Sequence, residues 1–225
     1  MALSPLVSSA LPPCSMHLSK RIMGAIDVCS QPVSPPKLAQ LLDAVEDATL
    51  LDALRALDGF KYRTRRKAQF ETQVVVAKEL ETEAESLLQW AKDLINYKSV
   101  GTTDQVAAIS MYTMQTMHCV VNAALNDPER TQDSLQPLLP YLKLLLGALR
   151  GLPHEYRYTG LVYHGQRGVP HNFQGKYYAS AKVVWWGLTS LTTNGDMLAD
   201  DHFCGRTGDR VVYRVHVHTG SYWIS

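Results

Sequence analysis

The chain has 225 residues, enough for one domain or for one domain with a helical extension, and is 46% hydrophobic and 19% charged, as a globular protein should be. Its net charge of +1 gives no global field to gather nucleic acid or an acidic membrane, so any binding must come from a local site. No apolar run approaches the roughly 20 residues of a membrane span.

The first 36 residues carry six prolines and many serines, which reads as a flexible leader with room for a short helix over Leu18–Val28. No basic n-region precedes an apolar core here, so a secretory signal is not expected and an intracellular location is favoured. Cys14, Cys29, Cys119 and Cys204 are far apart in sequence and form no C-x-x-C, so free thiols are the default.

The stretch from Pro36 to Leu149 is helical in pattern. Leu38, Leu41, Leu42, Val45, Leu50, Leu51, Leu54 and Leu57 recur at three- and four-residue spacing, and Asp58-Gly59 closes that helix. A second helix is predicted from about Arg65 to Tyr97, with Phe70, Val74, Ala77, Leu80, Ala84, Leu87, Ala91 and Leu94 in one stripe opposite Glu79, Glu81, Glu83 and Glu85. The third opens on a capping box, Thr102 with Gln105, and runs to about Leu125 before Asn126-Asp127-Pro128 breaks it. The fourth covers about Pro137–Arg150. Beyond Gly151-Leu152-Pro153 come predicted strands at Thr159–His164, Lys182–Ser190 and Arg210–Thr219, with another starting at Tyr222. Helices followed by strands make an α+β fold.

Some local clusters have plain explanations. KYRTRRK, Lys61–Lys67, reads as a solvated charge run, since no nucleic-acid recognition signature accompanies it. Asp200, Asp201, His202 and Cys204 precede a strand carrying His216 and His218 on one face, a set with the donor chemistry of a zinc site but no matching spacing. There is no G-x-S-x-G, P-loop or H-E-x-x-H.

Three segments remain in fixed order: TTDQVAAISMYT with VVNAAL, then LRGLP followed by VYHG, then WWGLTSLT. Together they resemble the mono-ADP-ribosyltransferases of the arginine–serine–glutamate class. In that family a T-x-E-x-x-A-I-x-x-Y-T helix precedes a helix ending in L-P, a Y-R-G strand and a W-x-G-F-T-S-T-S strand. The resemblance covers about Thr102 to Ser225. With the leader (1–36) and helical region (37–100) read above, it implies an ADP-ribosyltransferase-like domain (101–225), whose small two-sheet mixed β core would hold an NAD+ cleft.

Carried over residue by residue, Ser190 takes the place of the serine that steadies the nicotinamide-side ribose and is the catalytic candidate. Gly165 takes that of the glycine whose backbone reads the nicotinamide amide. Tyr163, His164, Thr189 and Arg167 complete the cofactor-binding candidates. His164 stands where the family has an arginine, and it cannot supply a charged fork of donors; the poly-ADP-ribose polymerase branch uses His-Gly there, and Arg167 lies three residues on. The family's E-x-E strand would follow the one begun at Tyr222, and the last acidic residue here is Asp209. The resemblance thus implies transfer of ADP-ribose from NAD+ to an acceptor protein, typically on arginine, with nicotinamide released. The alternative is an inactive NAD+-binding or protein-interaction module. Tyr112, Thr113 and Asn122 are expected to make structural polar contacts.

Overall fold

In the computed structural model the described residues are 35–66, 69–98, 101–170, 173–181, 183, 185–201 and 203–222. The leader with its Leu18–Val28 helix, Cys14, Cys29, His202 and the residues after Tyr222 lie outside them. The fold is α+β, as expected. The described residues form two compact units, divided between Arg157 and Tyr158, with Trp186–Leu188 counted in the first, helical unit.

The helical unit begins with α1 (Pro35–Ala44) and α2 (Leu50–Arg55), where the leucine spacing suggested one continuous helix. Thr49 interrupts it. Its backbone is extended, its hydroxyl accepts from the Asp52 amide at 3.2 Å, and so it starts a new helix instead of continuing the old one. The Asp104 carboxylate also accepts from Leu50 N–H, at 2.6 Å, placing a negative charge at the positive end of α2.

The second predicted helix is a larger correction. Its opening residues belong to an antiparallel hairpin that begins before it, β1 (Lys61–Arg66) with β2 (Gln69–Val74), in register from Lys61–Val74 to Arg66–Gln69. Phe70 and Val74 fit a helical stripe, but Thr64, Thr72 and the run Val74-Val75-Val76 are β-branched and favour extended backbone. The helix proper, α3, spans Ala77–Lys98. Asp58, which ends the preceding leucine run, also accepts from the Ala77 amide at the start of α3.

The capping box at Thr102 is present with both its hydrogen bonds: Gln105 N–H to the Thr102 hydroxyl at 3.2 Å, and Thr102 N–H to the Gln105 side chain at 3.0 Å. The helix it opens is shorter than predicted. It divides into α4 (Thr103–Thr113) and α5 (Gln115–Asn126), with Met114 extended between them. At this break the Ser110 hydroxyl donates to Val106 O and the Thr113 hydroxyl to Ser110 O, a local competition with the helix ladder. After a short α6 (Gln132–Leu135) and a 3-10 turn, α7 spans Leu139–Gly151.

Helix α4 packs on α3, α5 and α7, so it lies at the centre of the unit. Leu139, Leu142, Leu145, Leu146 and Leu149 of α7 are all buried, as their spacing requires. Tyr141 is fully buried among them, and its hydroxyl donates to Ala108 O at 2.9 Å. Burial also pushes its pKa well up, so the hydroxyl stays a donor. Tyr141→Phe is expected to cost about 1–2 kcal/mol, because the Ala108 carbonyl loses its side-chain donor in a dry environment. Urea unfolding followed by far-UV circular dichroism measures this; an unchanged midpoint would mean the bond contributes nothing net.

The second unit carries β3 (Arg157–Arg167) paired antiparallel with β4 (Arg210–Tyr222), and a short α8 (Phe173–Lys176) between them in sequence. Both strands run past their predicted ends. β4 alternates cleanly: Tyr213, Val215 and Val217 are buried while Val212, Arg214, His216 and His218 are exposed. The strand predicted over Lys182–Ser190 is not formed among the described residues there. Trp186, Gly187 and Leu188 are buried in succession, a pattern that the alternation of a strand facing one core cannot produce.

Candidate functional site

Two of the sequence motifs meet in the β unit. Tyr163 of β3 forms an antiparallel bridge with Thr192: Tyr163 N–H donates to Thr192 O at 2.7 Å, and Thr192 N–H donates back at 2.9 Å. One residue on, His164 Nδ1 lies 3.0 Å from the Ser190 carbonyl oxygen. A carbonyl only accepts, so Nδ1 carries the proton in this contact. The Y-H-G strand and the T-S-L-T segment are therefore held edge to edge, with Tyr163, His164, Gly165, Thr189, Ser190 and Thr192 within one short stretch of backbone. His164 is half-buried and Ser190 exposed.

Aromatic rings gather beside His164. Its ring stacks on Tyr213 at 5.8 Å between centroids and is tilted against Trp185 at 5.6 Å. Trp185 meets Tyr213 edge-on at 5.0 Å, and its indole N–H donates to the Tyr177 hydroxyl at 2.8 Å. Tyr213 is the buried centre of this group, and its hydroxyl donates to the Gln166 side chain at 3.2 Å. Burial, then the hydrogen bond with Tyr177, holds that hydroxyl protonated far above the ordinary phenol range. Sequence reading did not single out Tyr213 or Tyr177. The alternation of β4 marks Tyr213 as inward-facing, but nothing in the pattern says that it lies under His164.

Gly165 and Arg167 have structural reasons of their own. A Cβ on Gly165 would lie 2.7 Å from Cys204 Cβ and 3.2 Å from Leu198 Cδ2, so the glycine admits the buried Cys204. The Arg167 guanidinium donates to the Asp201 carbonyl oxygen and lies near Gly205.

The intervening Trp186–Leu188 is held by the helical unit. Leu188 O accepts from the Tyr112 hydroxyl at 3.3 Å, and the Asn122 amide donates to that same hydroxyl at 3.2 Å. A Cβ on Gly187 would lie 2.5 Å from Asn126 Nδ2 and 2.6 Å from Asn122 Oδ1, which explains a glycine there. Arg130 is 3% exposed, its guanidinium sits 3.6 Å from the centroid of the Trp186 ring, and Nη1 donates to Asp127 O. Tyr112 and Asn122 thus make the structural contacts expected of them, and Thr113 bonds within its own helix. Arg130 carried no signal in the sequence, since an arginine in a helix-breaking N-D-P-E-R stretch reads as exposed.

For the suggested zinc set, Cys204 is buried beside Gly165, whereas His216 and His218 are exposed on β4. Among the described residues no three or more His, Cys, Asp or Glu side chains are grouped to hold a metal ion. Among them also, no helix is long and apolar enough to cross a membrane.

No protein-family model matches the chain, and no curated protein does. Two solved structures are similar to it, both of the type III effector XopAI from Xanthomonas axonopodis pv. citri. The first, a form with a 70-residue N-terminal truncation, is 19% identical with a TM-score of 0.43, over 64% of this chain and 62% of that one. The second is 18% identical with a TM-score of 0.43, over 68% and 63%. The chain therefore spans less than two thirds of either effector structure.

Proposed function

We propose that the edge formed by β3 and the Thr189–Thr192 segment binds NAD+, and that the chain acts as an NAD+–protein mono-ADP-ribosyltransferase, with arginine as the acceptor side chain. The observation that supports this reading is the pairing of two motifs that the sequence resemblance selected separately. Tyr163 bonds Thr192 and His164 bonds the Ser190 carbonyl, across about the separation of one ordinary strand pair.

In the proposed reaction the bond between the ribose C1′ and the nicotinamide nitrogen breaks, and nicotinamide leaves as a neutral molecule. Positive charge develops on the ribose, and an acceptor nitrogen adds to C1′ and then loses a proton. Ser190 would donate its hydroxyl to the ribose. The Gly165 backbone would meet the nicotinamide amide, with Tyr163 and Thr189 beside it. His164 acts as a positioning residue, since its Nδ1–H fixes the Ser190 peptide. Arg167 would reach the phosphates only by leaving the Asp201 carbonyl.

A second reading has its own support: His164 stands where the resembled family has an arginine, and an imidazole gives no charged fork of donors. In that reading the chain binds NAD+ without transferring ADP-ribose. Both are tested by adding NAD+ and measuring melting temperature and nicotinamide release. NAD+ at a hundred times its Kd is expected to stabilise by about 2.7 kcal/mol, a rise of roughly 5–10 °C. Ser190→Ala is expected to reduce any release by about tenfold or more, while His164→Ala weakens binding and release together. A shift without release selects the second reading; neither shift nor release removes both.

A further inference from the structure

The exposed face of β4 carries a feature that the NAD+ reading does not use. His216 and His218 are two residues apart, so the strand places them on the same face, and both are exposed. Their ring centroids are 4.7 Å apart, with the rings tilted by 40°. Two imidazoles bound side by side to one ion, with metal–nitrogen bonds of about 2.0–2.1 Å and centroids about 1.1 Å behind each nitrogen, have centroids about 4.5–5.2 Å apart. The observed separation falls in that interval.

We propose that His216 and His218 form a two-histidine site for a divalent transition metal ion, Zn2+ in the first instance, with water completing its coordination. Imidazole favours Zn2+, Cu2+ and Ni2+ over Mg2+ and Ca2+, which take oxygen donors. The strand holds the two side chains adjacent in advance, so little further ordering is needed on binding. Once one ring is bound, the other is presented at the high local concentration that a short tether provides. Arg214, two residues earlier on the same exposed face, bears a like charge and limits the affinity. This site differs from the four-residue set suggested by sequence, because Cys204 is packed inward against Gly165 and takes no part.

The test is calorimetric titration of the full chain with Zn2+, together with NMR of the histidine ring signals. One saturable ion per chain is expected, with the His216 and His218 ring signals moving together. His216→Ala and His218→Ala are each expected to weaken binding by about tenfold or more through loss of the chelate, with melting temperatures unchanged because both side chains are exposed. Absence of saturable binding overturns the assignment. So does binding that persists in the double variant, or movement of other histidine signals while these two stay fixed; the ring signals of the unmodified chain decide the matter even where a variant folds poorly.

Discussion

Trp186→Ala is expected to destabilise the helical unit by about 3–5 kcal/mol, the range for removing a large buried aromatic side chain. Trp186 is 8% exposed, and its ring faces a guanidinium that is itself 3% exposed. A desolvated cation over an indole contributes about 2 kcal/mol, and without the ring that cation borders a void. Trp186→Phe keeps a π face and is expected to cost much less. Arg130→Met removes the buried charge while keeping most of its volume, so its cost should be small beside that of Trp186→Ala. The two changes together should cost less than their sum, with a coupling of about 1–2 kcal/mol. Urea unfolding of the four proteins by far-UV circular dichroism gives the cycle. Additive effects would mean that the ring and the guanidinium do not share their burial.

The same pair shows which parts of the molecule could be read in advance. Local chemistry was legible where a residue acts on its own neighbours. The Thr102–Gln105 capping box, the apolar face of α7 and the inward and outward sides of β4 depend on spacings within one element, and all are present. Boundaries inside a continuing apolar pattern were not legible, even where their cause is local. The Thr49 cap and the extended Met114 each split a predicted helix, and the β-branched run at Val74-Val75-Val76 outweighed a helical stripe in what became the hairpin. Among its described residues the Lys182–Ser190 stretch failed as a strand for a reason foreign to its own composition. Trp186 finds a buried arginine, and Leu188 finds a tyrosine, 56 and 76 residues earlier in the chain. At the candidate site only the family resemblance placed His164 and Ser190 in one cleft, whereas the Tyr213 ring beneath His164 follows from strand pairing, which no single segment encodes.

Gly165→Ala addresses what that glycine is for. A new methyl would lie 2.7 Å from Cys204 Cβ, an atom fixed to the backbone that no side-chain rotation can withdraw. Such overpacking is expected to cost about 1–3 kcal/mol. Cys204→Ala retains the offending Cβ and should give no relief. Cys204→Gly removes it, so the Gly165→Ala/Cys204→Gly double variant should be less destabilised than the two single changes added together. On the proposed NAD+ reading, titration of the double variant with NAD+ then separates two roles. If affinity returns with stability, glycine is required at 165 to admit Cys204, and the site loses binding only because its frame shifts. If stability returns and affinity does not, the methyl blocks the approach of a ligand to the Gly165 backbone, as the ADP-ribosyltransferase resemblance requires. A Gly165→Ala protein as stable as the parent would contradict the packing account from the start. The backbone beside Cys204 would then have room to move, and packing would not account for the glycine.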